Sequence, residues 1–127
     1  MDVFLIDKTK TVPGQRFYIH ARNVADGVLY LLKNIQVPIG EAQKYNIVGE
    51  KEVNNLELAQ AIANVIGKPL KYELVDFHSS RPGHDLRYAL SGEKMKSLGW
   101  APPMSFEKSL ETTVNWTLGR KDSWLIL

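Results

Sequence analysis

The chain contains no cysteine, which excludes disulfides, thiolate zinc sites and a cysteine nucleophile together. No apolar stretch approaches the roughly 20 residues of a membrane-spanning helix. Charge of one sign is scarce: 16 Lys and Arg stand against 14 Asp and Glu, a formal net charge of +2. That balance gives no broad basic surface for DNA, RNA or an anionic membrane. The nine glycines are scattered, and none forms the glycine-rich strand-to-helix turn that receives a dinucleotide pyrophosphate. A P-loop, a Gly-x-Ser-x-Gly elbow and a His-Glu-x-x-His pair are missing as well. MDVFLIDKTK places its apolar run ahead of its lysines, the reverse of a secretory signal. The expectation is a cytoplasmic protein with neither nucleic acid nor membrane among its partners.

What is present has globular composition, with 44% hydrophobic and 24% charged residues in a chain of 127. No repeat and no Pro/Gly/Ser linker divides it, so residues 1–127 are expected to form a single domain. Strands are expected at residues 3–6, 17–20, 45–48 and 72–77. Asn23, with Asp26 three residues on, has the pattern of a capping box. The helix behind it carries Val24, Val28, Leu31, Leu32 and Ile35 at helical spacing, a stripe read as core. Asn54 with Glu57 opens a second helix, closed by Gly67 and Pro69. Ser91 is expected to cap a short helix holding Met95 and Leu98. Ser105 opens the last, through Leu110, Val114 and Leu118 to Gly119. About four helices and about four short strands make a small mixed α/β (α+β) fold.

The most chemical segment is Ser80-Arg81-Pro82-Gly83-His84-Asp85-Leu86-Arg87-Tyr88. Pro82 fixes one backbone angle and Gly83 releases another, so the loop can present Arg81 and His84 in a defined direction. A guanidinium binds phosphate oxygens in a two-pronged way, and Arg16 supplies a second one. Asn55 lies in the first turn of its helix, where backbone N–H groups favour an anion. Two arginines and a helix N-terminus suit a diphosphate. The plainer alternative stays open: solvated arginines, an Asp85–Arg87 ion pair, and Asn55 as an ordinary helix-start residue. His20 reads as a structural residue beside its strand. His78 and His84 with Asp76 or Asp85 match no standard metal-ligand spacing, so no metal is expected.

Arg81-Pro-Gly-His-Asp-Leu-Arg-Tyr-Ala-Leu90 closely resembles the RPGHDxRYA segment of dTDP-glucose 4,6-dehydratases, which belong with the nucleotide-sugar epimerases to the extended short-chain dehydrogenase/reductases. Three further blocks are similar in order. Arg16-Phe-Tyr-Ile-His20 is followed by Val24-Ala-Asp26. Tyr45-Asn-Ile47, Gly49 and Asn55 come next. Leu98-Gly-Trp100, Pro103 and a helix reaching Trp116 close the series.

This resemblance implies the C-terminal, substrate-binding region of such an enzyme. By it, Arg16 and Asn55 would contact the diphosphate of a nucleoside-diphosphate sugar, Arg81 the diphosphate or ribose, and His84 the ribose region. The family carries its NAD turn and its Tyr-x-x-x-Lys pair in an N-terminal portion. This sequence contains neither, so no cofactor site and no catalytic residue is assigned to it, and no catalysis is expected from it alone. Asn23 also stands where the family usually has Asp. Apolar surface that such a missing portion would cover gives a second expectation, a homo-oligomeric interaction module, associating through exchange of the N-terminal strand segment or the DSWLIL tail.

Overall fold

In a computed structural model, residues 2–5, 13–76 and 85–120 are described. Arg81, His84 and the 121–127 tail lie outside them. Strand β1 (Asp2–Leu5) pairs in parallel with β4 (Glu73–Asp76), Val3 opposite Leu74. The second sheet is built around β2 (Gln15–Phe17). It runs antiparallel to β3 (Glu52–Asn54), with Gln15 opposite Asn54, and parallel to β5 (Arg87–Tyr88), with Arg16 opposite Tyr88. Four helices are found among the described residues: α1 (Ala21–Asn34), α2 (Asn55–Ile66), α3 (Glu93–Ser97) and α4 (Phe106–Gly119). Among the described residues the chain adopts the expected mixed class, with four helices.

Local signals were followed where no distant partner competed. Asn54 caps α2 in a full capping box, its carboxamide accepting from Glu57 N at 2.8 Å while Glu57 Oε2 accepts from Asn54 N at 3.0 Å. Gly67 ends that helix with φ of 72°, a conformation only glycine adopts without strain. Ser105 caps α4 by accepting from Lys108 N. Glu50, from the loop before β3, adds a carboxylate that accepts from Phe106 N at 2.7 Å, satisfying another first-turn donor and matching the positive end of the helix dipole.

Elsewhere the expectations need correction. The cap of α1 is His20, whose Nδ1 accepts from Arg22 N at 3.1 Å, so the strand stops at Phe17 rather than 20. Asn23 is inside the helix and buried; its Nδ2 donates to Met104 O at 2.8 Å and its Oδ1 accepts from Met104 N at 3.1 Å. Asp26 accepts from Trp100 Nε1 at 2.8 Å instead of closing a capping box. Residues 45–48 form no strand, because side chains anchor them: Lys94 sits 4.1 Å above the Tyr45 ring and Asn46 Nδ2 donates to Ser91 O. The strand of that region is β3, six residues further on. The cap of α3 is Gly92, one residue after Ser91. Arg87 pairs across the sheet with Glu52, at 2.5 and 3.0 Å, and not with Asp85.

The α1 stripe is mostly outside the core. Val24, Val28 and Leu32 are 36%, 44% and 75% exposed while Leu31 and Ile35 are half-buried, and the buried face is that of Asn23 and Gly27. A Cβ on Gly27 would stand 3.1 Å from both Ile47 and Trp100, so this glycine lets the helix backbone sit against them. The core proper consists of Val53, Ala59, Ala63, Met95, Trp100, Phe106 and Val114. It lies between the three-stranded sheet, α2, α3 and α4, and so fixes the ends of β2 and α2 that carry the candidate site.

Candidate functional site

The site forms where the start of β2 meets the start of α2. The antiparallel register sets Gln15 opposite Asn54, and the ladder is continued by Asn55 N donating to Gly14 O at 2.9 Å. Gly14 is buried there. A Cβ on it would lie 3.2 Å from Asn55 Nδ2, 3.7 Å from Arg16 NH1 and 3.5 Å from Leu86 O. Arg16 and Asn55, 39 positions apart in sequence, therefore converge around one glycine.

Arg16 is held rigidly. One terminal nitrogen donates to Gln15 O at 2.6 Å and Leu86 O at 3.1 Å, and the other donates to Asp85 O at 3.2 Å. Its guanidinium carbon lies 4.1 Å from the Tyr88 ring centroid, a cation–π contact on the neighbouring strand. Three of the five guanidinium N–H groups are thus spent on backbone carbonyls, and the other two have no partner among the described residues. A cavity of about 410 Å³ opens on the same side, lined by Phe17, Ile47, Val48, Tyr88 and Leu90 with Arg16 among them. Such a volume suits a small-molecule pocket.

Asn55 is held by a residue that the sequence reading passed over. The Tyr18 hydroxyl donates to Asn55 Oδ1 at 3.0 Å. Tyr18 follows Arg16 by two positions along an extended run, so it shares the arginine's side of the chain; that spacing was the available signal. Its ring lines a second cavity of about 240 Å³ with Leu58, Ile62, Phe106 and Leu110. Burial pushes its hydroxyl above the usual phenol range, and the nearby Arg16 charge opposes part of that rise. In the wall of this cavity the Ser109 hydroxyl is buried without a hydrogen-bond partner. Of the four residues expected in the site, the described structure brings together Arg16 and Asn55. Nothing is described at Arg81 and His84.

The strand-to-helix junctions show why no dinucleotide is assigned to these residues. The one before α1 is capped by His20 and the one before α2 by Asn54, and the one before the five-residue α3 has a single glycine, Gly92. None of the three offers the glycine-rich turn that a pyrophosphate approaches, so these junctions do not fit NAD.

No family model matches the chain. It is 37% identical over 92 residues to a dTDP-glucose 4,6-dehydratase of Escherichia coli, covering 65% of this chain and 25% of the relative. Among solved structures it matches dTDP-glucose 4,6-dehydratase of Bacillus anthracis in complex with NAD, with a TM-score of 0.72 and 30% identity, over 96% of this chain and 36% of that one. UDP-glucose 4-epimerase of Thermus thermophilus, also in complex with NAD, shares the fold with a TM-score of 0.74 at 22% identity, over 94% of this chain and 35% of that one. The chain thus spans about a quarter of the length of the curated relatives it matches and about a third of the solved ones. No helix among the described residues is long and apolar enough to cross a membrane. This chain is a partial relative of the dTDP-glucose 4,6-dehydratases, with the fold of the corresponding part of the extended short-chain dehydrogenase/reductases.

Proposed function

We infer that the chain is a cytoplasmic, C-terminal nucleotide-sugar-binding domain of an NAD-dependent 4,6-dehydratase or epimerase, formed by residues 1–127. It grips the nucleoside diphosphate of the sugar nucleotide and does not catalyse by itself. The observation that carries this reading is the convergence of Arg16 and Asn55 on Gly14, with donors on both side chains that meet no partner among the described residues. Two guanidinium N–H groups and a carboxamide NH2 suit phosphate oxygens, and backbone carbonyls hold the arginine before any ligand arrives. Arg81 and His84 complete the set on the resemblance alone, Arg81 toward diphosphate or ribose and His84 toward ribose.

An NMR titration with dTDP or UDP tests it. Binding is expected with a Kd on the order of 1 mM, because one wall of the cleft comes from elsewhere. Shifts should centre on the amides of Gly14, Arg16 and Asn55, and Arg16→Ala should weaken binding about tenfold. No response from these amides at about 10 mM of either nucleotide would overturn the assignment.

The exposed face of α1 favours a second reading, an oligomeric interaction module. Val28, Leu29 and Leu32 stand open on one side of the helix, and Ile39 just beyond it is fully exposed. Such a patch is covered at low cost by a second copy of the chain. Light scattering at about 0.2 mM is expected to give at least a dimer mass, and Leu32→Glu to return it toward monomer. A monomer mass for the unaltered chain would remove this reading.

A further inference from the structure

A carboxamide recognises an anion from only one of its two ends. The Nδ2 end carries two N–H donors, whereas Oδ1 carries lone pairs that repel phosphate oxygens. The two ends are nearly equal in size, and the torsion that exchanges them is broad and roughly two-fold. An unheld asparagine therefore offers the wrong end a large share of the time.

Asn55 is held. Tyr18 occupies its Oδ1 with a donated hydrogen bond of 3.0 Å, and Tyr18 lines one cavity with Leu58 and Ile62 of α2 and Leu110 of α4. At the other end of the residue, the Asn55 backbone N–H is tied to Gly14 O at 2.9 Å. With both ends fixed, Nδ2 has no hydrogen-bond partner among the described residues and lies 3.2 Å from the point where a Cβ on Gly14 would be, a point 3.7 Å from Arg16 NH1. The Tyr18 hydroxyl gives its proton to the amide oxygen in this arrangement.

We propose that Tyr18 is a positioning residue for the diphosphate site, orienting Asn55 so that the ligand meets donors alone. The role rests on the diphosphate reading given above. It sharpens the ligand class: the paired Arg16 and Asn55 accept an anionic diphosphate and reject groups that must themselves donate. Because burial raises the Tyr18 hydroxyl's ionisation range, the donor persists through the neutral range in which a nucleoside diphosphate is ionised.

The test uses the full chain, labelled with 15N, and titrates it with dTDP and with inorganic pyrophosphate. In the unaltered protein the Asn55 side-chain NH2 signal should move as ligand binds. Tyr18→Phe should lower the affinity for both probes about tenfold and reduce that NH2 response. The Asn55 backbone amide, tied to Gly14, should keep its position, which separates orientation of the amide from loss of the fold. Asn55→Asp provides a second arm that leaves Tyr18 in place. It puts a carboxylate oxygen where the donor stood, so its affinity should fall below that of Asn55→Ala. Unchanged affinity in Tyr18→Phe overturns the positioning role while the diphosphate reading stands. Asn55→Asp binding as well as Asn55→Ala would put the residue 55 side chain away from the ligand, and would overturn the positioning role together with the part of Asn55 in the diphosphate site. Failure of the unaltered chain to respond to either probe overturns both.

Discussion

Replacing Gly49 with alanine is expected to lower the stability of the fold by about 3 kcal/mol or more, a large part of the roughly 5–15 kcal/mol of an ordinary domain. A Cβ there would fall 2.2 Å from Tyr18 O, 2.9 Å from Tyr18 C and 3.4 Å from Phe17 C. All three are backbone atoms, so no rotamer change relieves the overlap. The β2 segment is also poorly able to retreat. It is paired with β3 on one side and β5 on the other, and α1 begins three residues after Tyr18. Gly49 has no positive φ, so the requirement is for space rather than for an unusual backbone angle. Gly119→Ala is the natural control, since a Cβ there meets nothing within 4 Å and alanine suits the end of a helix. Urea unfolding followed by circular dichroism separates the two. A Gly49→Ala midpoint equal to that of the unaltered chain would show that β2 can shift. A partly folded variant should still lose the Asn55 side-chain response, because the clash falls on Tyr18 itself.

The parts of the fold that were legible in the sequence are those decided within one turn of chain. Asn54 with Glu57, Gly67 and Ser105 each settle a helix end through groups three or four residues away. The misread parts are those settled by distant partners. Asn23 has the chemistry of a cap and of a tether alike, and Met104, 81 residues on, decides for the tether. Strands β3 and β5 are three and two residues long, carry one core residue, Val53, between them, and pair on the two sides of β2; the mostly apolar run of residues 45–48 was the stronger signal and the wrong one. The apolar stripe of α1 was read as core, yet small Gly27 is what lets the opposite face approach Trp100. For the site, residue chemistry and resemblance nominated Arg16 and Asn55. Their meeting at Gly14 depends on the β2–β3 register, and Tyr18 escaped notice because aromatic residues in strands are ordinarily taken as packing.

Asn23→Asp is expected to cost about 3 kcal/mol at pH 7, although it restores the residue that the resembled enzymes usually carry there. The side chain is only 3% exposed and makes two bonds to one backbone unit, donating from Nδ2 to Met104 O and accepting at Oδ1 from Met104 N. A carboxylate keeps the acceptor and turns the donor into a second oxygen facing the Met104 carbonyl, leaving a buried charge against a lone pair. Protonation reverses this, because a neutral carboxyl has one O–H to give to Met104 O. The folded state therefore binds that proton more tightly than the unfolded chain, whose carboxyl titrates near 3.9. A folded pKa raised above the unfolded one contributes stability that is fully present below about pH 3.9 and is lost as pH rises through the folded value. The stability gap between Asn23→Asp and the unaltered chain should accordingly narrow between pH 7 and pH 4. Asn23→Ala removes both bonds without adding a titrating group, so its deficit, about 2 kcal/mol, should stay nearly level over the same range. Denaturation curves of the three proteins at the two pH values decide the matter. An Asn23→Asp gap that does not change with pH would mean that the Met104 loop moves away from the new carboxylate. In that case the link between α1 and the start of α4 is softer than its two hydrogen bonds imply, and the end of β2, with Tyr18 and the Asn55 amide it holds, is anchored mainly by the sheet.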